Sequence, residues 1–259
     1  MGSEGRRLDP LAEAFAGSAD SYDRARPGYE DEPLDWAFRE LALDGRSVVL
    51  DLAAGTGKLT RAVVAAGAEV TAVEPLEPML EQLRAAVPEA EALEGSAERI
   101  PVADRSVDLV TVGQAFHWFD QEAALAEIRR VLRPRGVVGL LANARDDAEP
   151  WVAEMLAIDG GGDRLSQVAT DRWRALEADP AFDRLERRDF PNPTAFTGER
   201  LTGFAASTSG VSTRPPDERD DVLRRLGELA RSHPALTGRA TFAMPFVTVA
   251  VRSALVPAG

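Results

Sequence analysis

Apolar positions along the first half of the chain alternate between two rhythms. Residues 33–43, PLDWAFRELAL, set Leu34, Ala37, Phe38 and Leu41 at helical spacing and predict a helix with one buried stripe. Residues 47–55, SVVLDLAAG, form a short, nearly all-apolar run, as a strand covered on both faces requires. Helical and strand-like segments then take turns. KLTRAVVAAG (58–67) predicts a helix capped by Gly67, AEVTAVEP (68–75) a strand, and LEPMLEQLRAAVP (76–88) a helix stopped before Pro88. AEALEG (90–95) and SVDLVTVGQ (106–114) predict two more strands. DQEAALAEIRRVLRP (120–134) predicts an amphipathic helix, RPRG a turn, and VVGLLAN (137–143) a fifth strand. Strands alternating with helices at this length predict an α/β fold, doubly wound around a parallel sheet.

Beyond Asn143 the rhythm weakens. Residues 148–180 predict one or two helices interrupted by GGGD, a composition that suits a cap. FDRLERRDF (182–190) predicts a sixth strand, DERDDVLRRLGELARSHP (217–234) a polar-faced helix, and ATFAMPFVTVAVRSAL (240–255) an alternating last strand.

Charge narrows the partners. The 259 residues carry 43 acidic against 30 basic side chains, a net charge of −13, and the sequence shows no basic stripe to offset it. Such a surface repels phosphate backbones, so a small-molecule substrate is expected and nucleic acid is not. Zero cysteines exclude disulfides, thiolate metal sites and a cysteine nucleophile. Two separated histidines give no metal cluster either. No apolar run approaches the roughly 20 residues of a membrane helix. The opening MGSEGRRLDP lacks the apolar core of a signal peptide, so a cytoplasmic protein with no membrane partner is expected.

The chemistry concentrates at two strand ends. The turn after the first predicted strand, VVLDLAAGTGKLT, fails the dinucleotide fingerprint at Thr60, where a third glycine belongs. It fails the phosphate-binding loop too, because Leu59 follows Lys58 and Leu52 occupies the first glycine position. What remains is Asp51-x-Ala53-x-Gly55-x-Gly57, with Glu74 closing the next strand. An acid roughly 20 residues beyond such glycines is placed to bond vicinal ribose hydroxyls. Asp51 is placed to hold an amino group or the turn itself. At the end of the fourth strand, GQAFHWFD carries His117, which reads either as a base or donor facing a substrate or as a packed ring. Phe116, Trp118 and Phe119 read as pocket walls or as packing, with Phe119 assigned to the core. His233, before a proline at a helix end, reads as a cap.

Taken in order, VVLDLAAGTGKLT, VEPLEPML, EGSAERIPVADRSVDLVTVGQAFHWFD and EIRRVLRPRGVV resemble the motifs of class I S-adenosylmethionine-dependent methyltransferases. The likeness is to the small-molecule branch labelled methyltransferase type 11, which includes trans-aconitate-methyltransferase-like proteins. AFAGSADSYDRARPGY and SHPALTGRATFAMPFVTVAVR resemble the opening and closing segments of that branch. The resemblance implies a Rossmann-like, seven-stranded, mostly parallel sheet with an antiparallel last strand and a helical lid. It implies one domain over 1–259, with 1–46 covering the cofactor and 47–143 binding it. Residues 144–239 would form the lid and sixth-strand region, and 240–259 the final strand. S-adenosyl-L-methionine is the implied cofactor, S-adenosyl-L-homocysteine the product, and a monomer or homodimer the implied assembly.

Roles carry over by position. Gly55, Gly57 and the Ala53 backbone would line the methionine moiety, Glu74 would bind the ribose, and Pro75 and Met79 would flank the adenosine. Ser96 and Ala97 fall at the adenine edge, and Gln114 beside the methionine portion. Tyr22 and Arg26 would close over the cofactor carboxylate. Ala53 departs from the commonest glycine there, and Ser96 from the commonest aspartate. QAFHW stands where amino-group nucleic-acid methyltransferases carry Asp/Asn-Pro-Pro-Tyr. Two rival readings remain: a protein of this fold that binds the cofactor without transferring methyl, and a nicotinamide-dependent dehydrogenase, against which Thr60 argues.

Overall fold

The computed structural model describes residues 26–39, 47–161, 164–165 and 172–256. Its sheet has seven strands in the order β3-β2-β1-β4-β5-β7-β6. These are β1 (Val48–Leu52), β2 (Glu69–Glu74), β3 (Glu91–Glu94), β4 (Val107–Gly113), β5 (Leu132–Arg145), β6 (Glu186–Phe196) and β7 (Phe242–Ala254). Strands β1 to β5 pair in parallel, whereas β7 runs antiparallel to β5, with Asn143 opposite Thr248. The helices between them are α1 (Asp31–Phe38), α2 (Lys58–Ala65), α3 (Glu77–Ala86), α4 (Gln121–Val131), α5 (Pro150–Asp159) and α6 (Arg174–Ala178). After β6 come α7 (Gly198–Ala206), α8 (Ser209–Ser212) and α9 (Pro216–Ser232).

Alternation along the central strands explains the two-sided burial. Val49 and Leu109 point to one face, where Leu34, Ala37 and Phe38 of α1 and Leu59 and Val63 of α2 cover them. Leu50, Leu52, Val110 and Val112 point to the other, against Leu125 and Ile128 of α4 and Leu176 of α6. Burying a side chain of this size contributes about 1.5–3 kcal/mol, so both helical layers are held chiefly by apolar area. Helix ends follow their sequence signals. Asp120 accepts from the Ala123 N–H at 3.3 Å to cap α4, and Gly67, at φ 97°, ends α2 through its N–H to the Val64 carbonyl.

Two expectations need correction. The fifth strand does not start after an RPRG turn but at Leu132. Val107 pairs with Leu132 and Leu109 with Val137, so residues 133–136 bulge from a continuous strand. The sixth strand is Glu186–Phe196 rather than 182–190 and runs through Pro191 and Pro193. Proline removes a ladder donor, and this strand tolerates it because it lies at the sheet edge.

The chain divides into two compact units. The sheet unit comprises Pro27–Asp147, Asp163–Thr194 and Met244–Gly259, and the helical unit Met1–Arg26, Ala148–Gly162 and Ala195–Ala243. Within the helical unit α9 packs on α5 and α7 through Val222, Leu226 and Leu229. Trp151 meets Phe242 edge-on at 5.6 Å, and Phe196 meets Phe204 at 5.8 Å. Among the described residues no helix is long and apolar enough to cross a membrane.

One buried carboxyl ties the centre of the sheet unit together. Asp51, fully buried near the end of β1, accepts from the Thr60 hydroxyl of α2 at 2.6 Å and the Thr111 hydroxyl of β4 at 2.9 Å. Burial pushes its pKa up to about 6, against the downward pull of the two hydroxyls. Asp51→Ala takes the acceptor from Thr60 and leaves Thr111 only the Leu50 carbonyl at 3.4 Å, and an unsatisfied buried polar group costs about 1–3 kcal/mol. Denaturant unfolding of that variant should show a loss of about 2–4 kcal/mol. Asp51→Asn, which can accept from one threonine and donate to the other, should lose under about 1.5 kcal/mol. Equal losses in the two variants would argue against the hydrogen-bonding account.

Candidate active site

The carboxyl ends of β1, β2 and β4 lie side by side, because Leu52 pairs with Val73 and Asp51 with Thr111. The chain leaving β1 turns sharply, with Ala53 at φ 54°, Gly55 at φ 59° and Gly57 at φ 85°. Left-handed backbone costs a non-glycine residue roughly 1–2 kcal/mol, so Ala53 is strained where the glycines are not. Three bonds impose the shape: Ala54 N–H to the Val73 carbonyl at 3.1 Å, Gly57 N–H to the Ala54 carbonyl at 3.0 Å, and Gly55 N–H to Glu74 Oε2 at 2.9 Å. Gly57 is the N-cap of α2, so the turn opens directly onto a helix N-terminus.

Glu74 is only 4% exposed at the end of β2. Its second oxygen accepts from the Leu76 N–H at 3.0 Å, fixing the entry to α3 around Pro75. Burial pushes its pKa up to about 7; the two backbone N–H donors pull down and the charge of Asp51 adds to the rise. Met79 is buried, with its sulfur 3.9 Å from where a Cβ on Gly55 would lie.

The segment after β3 is pinned from two sides. Gly95 N–H bonds the Glu74 carbonyl at 3.3 Å, and a Cβ there would come within 2.7 Å of Pro101. Ser96 accepts at its carbonyl from Arg99 N–H at 3.1 Å, and Ala97 is buried. From α4, Arg130 donates to the carbonyls of Ile100 and Val102, while Glu127 accepts the Ile100 N–H at 2.8 Å. The Arg130 guanidinium holds the Glu127 carboxyl below its usual range.

Gln114, immediately after β4, also sits in the left-handed region at φ 64°. Its N–H bonds the Leu141 carbonyl at 2.9 Å, and its side-chain amide donates to the Asn143 carbonyl at 2.9 Å. A single 3₁₀ turn, Phe116–Trp118, follows. Phe116 is 2% exposed and packs in the core on Phe119 and Trp173. Of the two readings of Phe116, its burial favours packing over a pocket wall. Trp118 is 49% exposed, with its ring 4.7 Å from that of His117. His117 Nδ1 lies 3.3 Å from Nη1 of Arg172.

The remaining sequence candidates fall elsewhere. Tyr22 lies outside the described residues. Arg26 belongs to the helical unit, where it donates to the Ser207 carbonyl at 3.1 Å and stands over Phe204. His233 follows α9, and its Nδ1 accepts from the Ala235 N–H at 3.1 Å. Among the described residues no group of three or more His, Asp or Glu side chains is placed to hold a metal.

Sequence reading missed a buried amide network beside Gln114. Asn143 accepts from the Thr248 hydroxyl at 2.6 Å and from Asn192 at 3.2 Å, and it donates to the Gly28 carbonyl at 3.0 Å. Asn192 donates to the same carbonyl at 3.2 Å. The network fixes the segment preceding α1, whose Tyr29 hydroxyl stands 2.8 Å from where a Cβ on Gly113 would lie. One signal was available: Asn143 ends an otherwise apolar strand.

Comparison with other proteins shows the family. Residues 50–140 match a family model described as a methyltransferase domain. The chain is 41% identical over 242 residues to an uncharacterized methyltransferase of Mycobacterium tuberculosis, covering 93% of this chain and 96% of that protein. It is 34% identical over 189 residues to a malonyl-[acyl-carrier protein] O-methyltransferase of Pectobacterium atrosepticum, covering 71% of this chain and 66% of that one. In fold it is similar to the structure of a candidate type II methyltransferase from Anaeromyxobacter dehalogenans, with a TM-score of 0.63 and 22% identity over 90% of this chain and 99% of the other. A relative this similar over nearly its whole length, on a seven-stranded sheet with an antiparallel β7, shows that the chain belongs to the S-adenosylmethionine-dependent methyltransferases.

Proposed function

We propose that this enzyme methylates a small-molecule acceptor held beside the end of β4, with S-adenosylmethionine bound across the ends of β1 and β2. The observation that carries the reading is Glu74, a buried acid bonded to the Gly55 N–H of a left-handed turn on the adjacent strand. The residues suit that cofactor. Gly55 is half-buried with only the Met79 sulfur near where its Cβ would lie, Gly57 gives the turn its left-handed N-cap against Leu83 and Val87, Glu74 offers acceptors for vicinal hydroxyls, and Met79 offers an apolar flank.

The roles we assign are those the family resemblance implies. The Ala53 backbone, Gly55 and Gly57 line the methionine moiety, and Asp51 holds the turn through Thr60 and Thr111. Glu74 takes the ribose hydroxyls, Pro75 and Met79 flank the adenosine, and Ser96 and Ala97 meet the adenine edge. Gln114 stands beside the methionine portion. His117 and Trp118 face the acceptor. The cofactor supplies an already activated sulfonium methyl, so the chain's task is to align an acceptor lone pair and exclude water. Near-attack positioning of that kind is worth about 7–11 kcal/mol at its best. The net charge of −13 supports a small acceptor over a nucleic acid. The carrier-bound malonyl group acted on by the Pectobacterium relative makes carboxylates a sensible start for a substrate screen.

Glu74 gives this reading a pH signature. Its folded pKa of about 7 lies above the ordinary 4.5, so any stability from its proton is complete below about 4.5 and lost as pH rises through 7. Ribose binding has the opposite sense, because the ionised carboxylate is the stronger acceptor. Calorimetric affinity for S-adenosylhomocysteine should therefore rise as pH increases through about 7. Glu74→Gln should flatten that rise and Glu74→Ala should weaken binding about tenfold or more, as for loss of a charged hydrogen bond. Unchanged affinity in both variants would remove Glu74 from the ribose. For turnover, the enzyme should release S-adenosylhomocysteine when given methyl-labelled cofactor and a panel of carboxylic acids, amines and phenols. Cofactor binding with no transfer to any member would favour the non-transferring reading.

A further inference from the structure

His117 and its neighbour form two contacts in parallel with a distant pair of residues. Phe116 packs on Trp173 in the core, with ring centroids 6.4 Å apart, and His117 Nδ1 faces Arg172 Nη1 at 3.3 Å. The buried aromatic pair sets the register of the polar pair beside it. Helix α6, which starts at Arg174, is itself anchored where Asp179 at its end pairs with Arg129 of α4. The Trp118 ring lies 4.7 Å from the imidazole, tilted by 39°.

A guanidinium carries five N–H donors and no acceptor. A ring nitrogen that faces one at hydrogen-bond range must offer its lone pair. Nδ1 is then unprotonated, the ring is neutral, and its one proton sits on Nε2. We propose that Arg172 is a positioning residue that holds His117 in its Nε2–H tautomer, so that His117 serves the methyl acceptor as a hydrogen-bond donor and not as a base. This rests on the reading that His117 faces the acceptor. In this tautomer Nε2 has no lone pair to take a proton, and that of Nδ1 is engaged by Arg172. The acceptors that suit such a site arrive with a lone pair already available, as a carboxylate or an uncharged amine does. A hydroxyl acceptor would have to lose its proton to another group.

The tautomer can be read without knowing the substrate. The chain has two histidines, so isotope-labelled histidine NMR of the full protein, with His233→Asn to assign the signals, resolves both ring nitrogens of His117. At mildly alkaline pH, with S-adenosylhomocysteine present to confirm an intact fold, Nδ1 should resonate as a bare nitrogen and Nε2 as N–H. Arg172→Met should move both signals towards the average of two exchanging tautomers, and Arg172→Lys, also a pure donor, should restore them. A protonated Nδ1 in the unaltered protein, or identical spectra in Arg172→Met, would overturn the proposal.

Turnover on whichever acceptor the panel identifies separates donor from base. His117→Gln, whose amide N–H can stand in for Nε2–H, should stay within about tenfold of the unaltered kcat, while His117→Ala should fall about 100-fold. A His117→Gln variant as slow as His117→Ala would restore the base role and sink the donor role. Full turnover in His117→Ala would instead overturn the reading that His117 meets the acceptor at all, and the NMR result would stand apart from it.

Discussion

Two acids buried near the ends of neighbouring strands set the geometry of everything around them. Asp51 and Glu74 are both shut away from water, and both keep company only because hydroxyls and backbone N–H groups satisfy their oxygens. An acid in such a place has few conformations open to it, since any other rotamer would leave donors and acceptors unmatched in a dry interior. The turn between β1 and α2 inherits this rigidity through Gly55, and the start of α3 inherits it through Leu76. The Glu74 backbone extends it to Gly95, and the Arg130 clamp takes it on to residues 100–104. The loops at these strand ends are thus tied to the buried centre of the sheet.

The amide network at Asn143 does the same on the other flank. Strands β5, β6 and β7 meet there in one dry cluster, and the carbonyl of Gly28 is drawn into it twice. Buried networks of this sort are costly when one member is missing and specific when all are present. The segment carrying Tyr29 is therefore ordered by the far end of the sheet and not by its own sequence.

The parallel half of the fold was legible because the central strands β1 and β4, buried on both faces, read as nearly all-apolar runs, and β2 and β3 recur between helical segments at the expected spacing. The runs for β1, β2, β3 and β4 each contain the observed strand. Glu74 was legible as well, since strand and turn together put an acid at a strand end. What escaped reading depended on distance. The bulge at residues 133–136 looks like a plain turn until β4 is seen to pair on both sides of it. Strand β6 was displaced because its prolines argue against a strand unless its edge position is known, and the short helices α7 and α8 went unread among glycines and serines. Arg172 carries no local signal at all, for it becomes interesting only when 55 residues of separation are folded away. Left-handed Gln114 is similar: its conformation is imposed by Leu141 and Asn143 from the next strand.

Those prolines in β6 have a meaning beyond their effect on reading. The sheet's other border is β3, four residues long and closed by Glu91 and Glu94. One margin is thus too short and too acidic to recruit a stranger, and the other lacks two of the amide donors that recruitment needs. Sheet margins of this kind are guarded against templating, the first step towards amyloid-like stacking. Copies of this enzyme that crowd together in a cell would find no ready seam along β3 or β6.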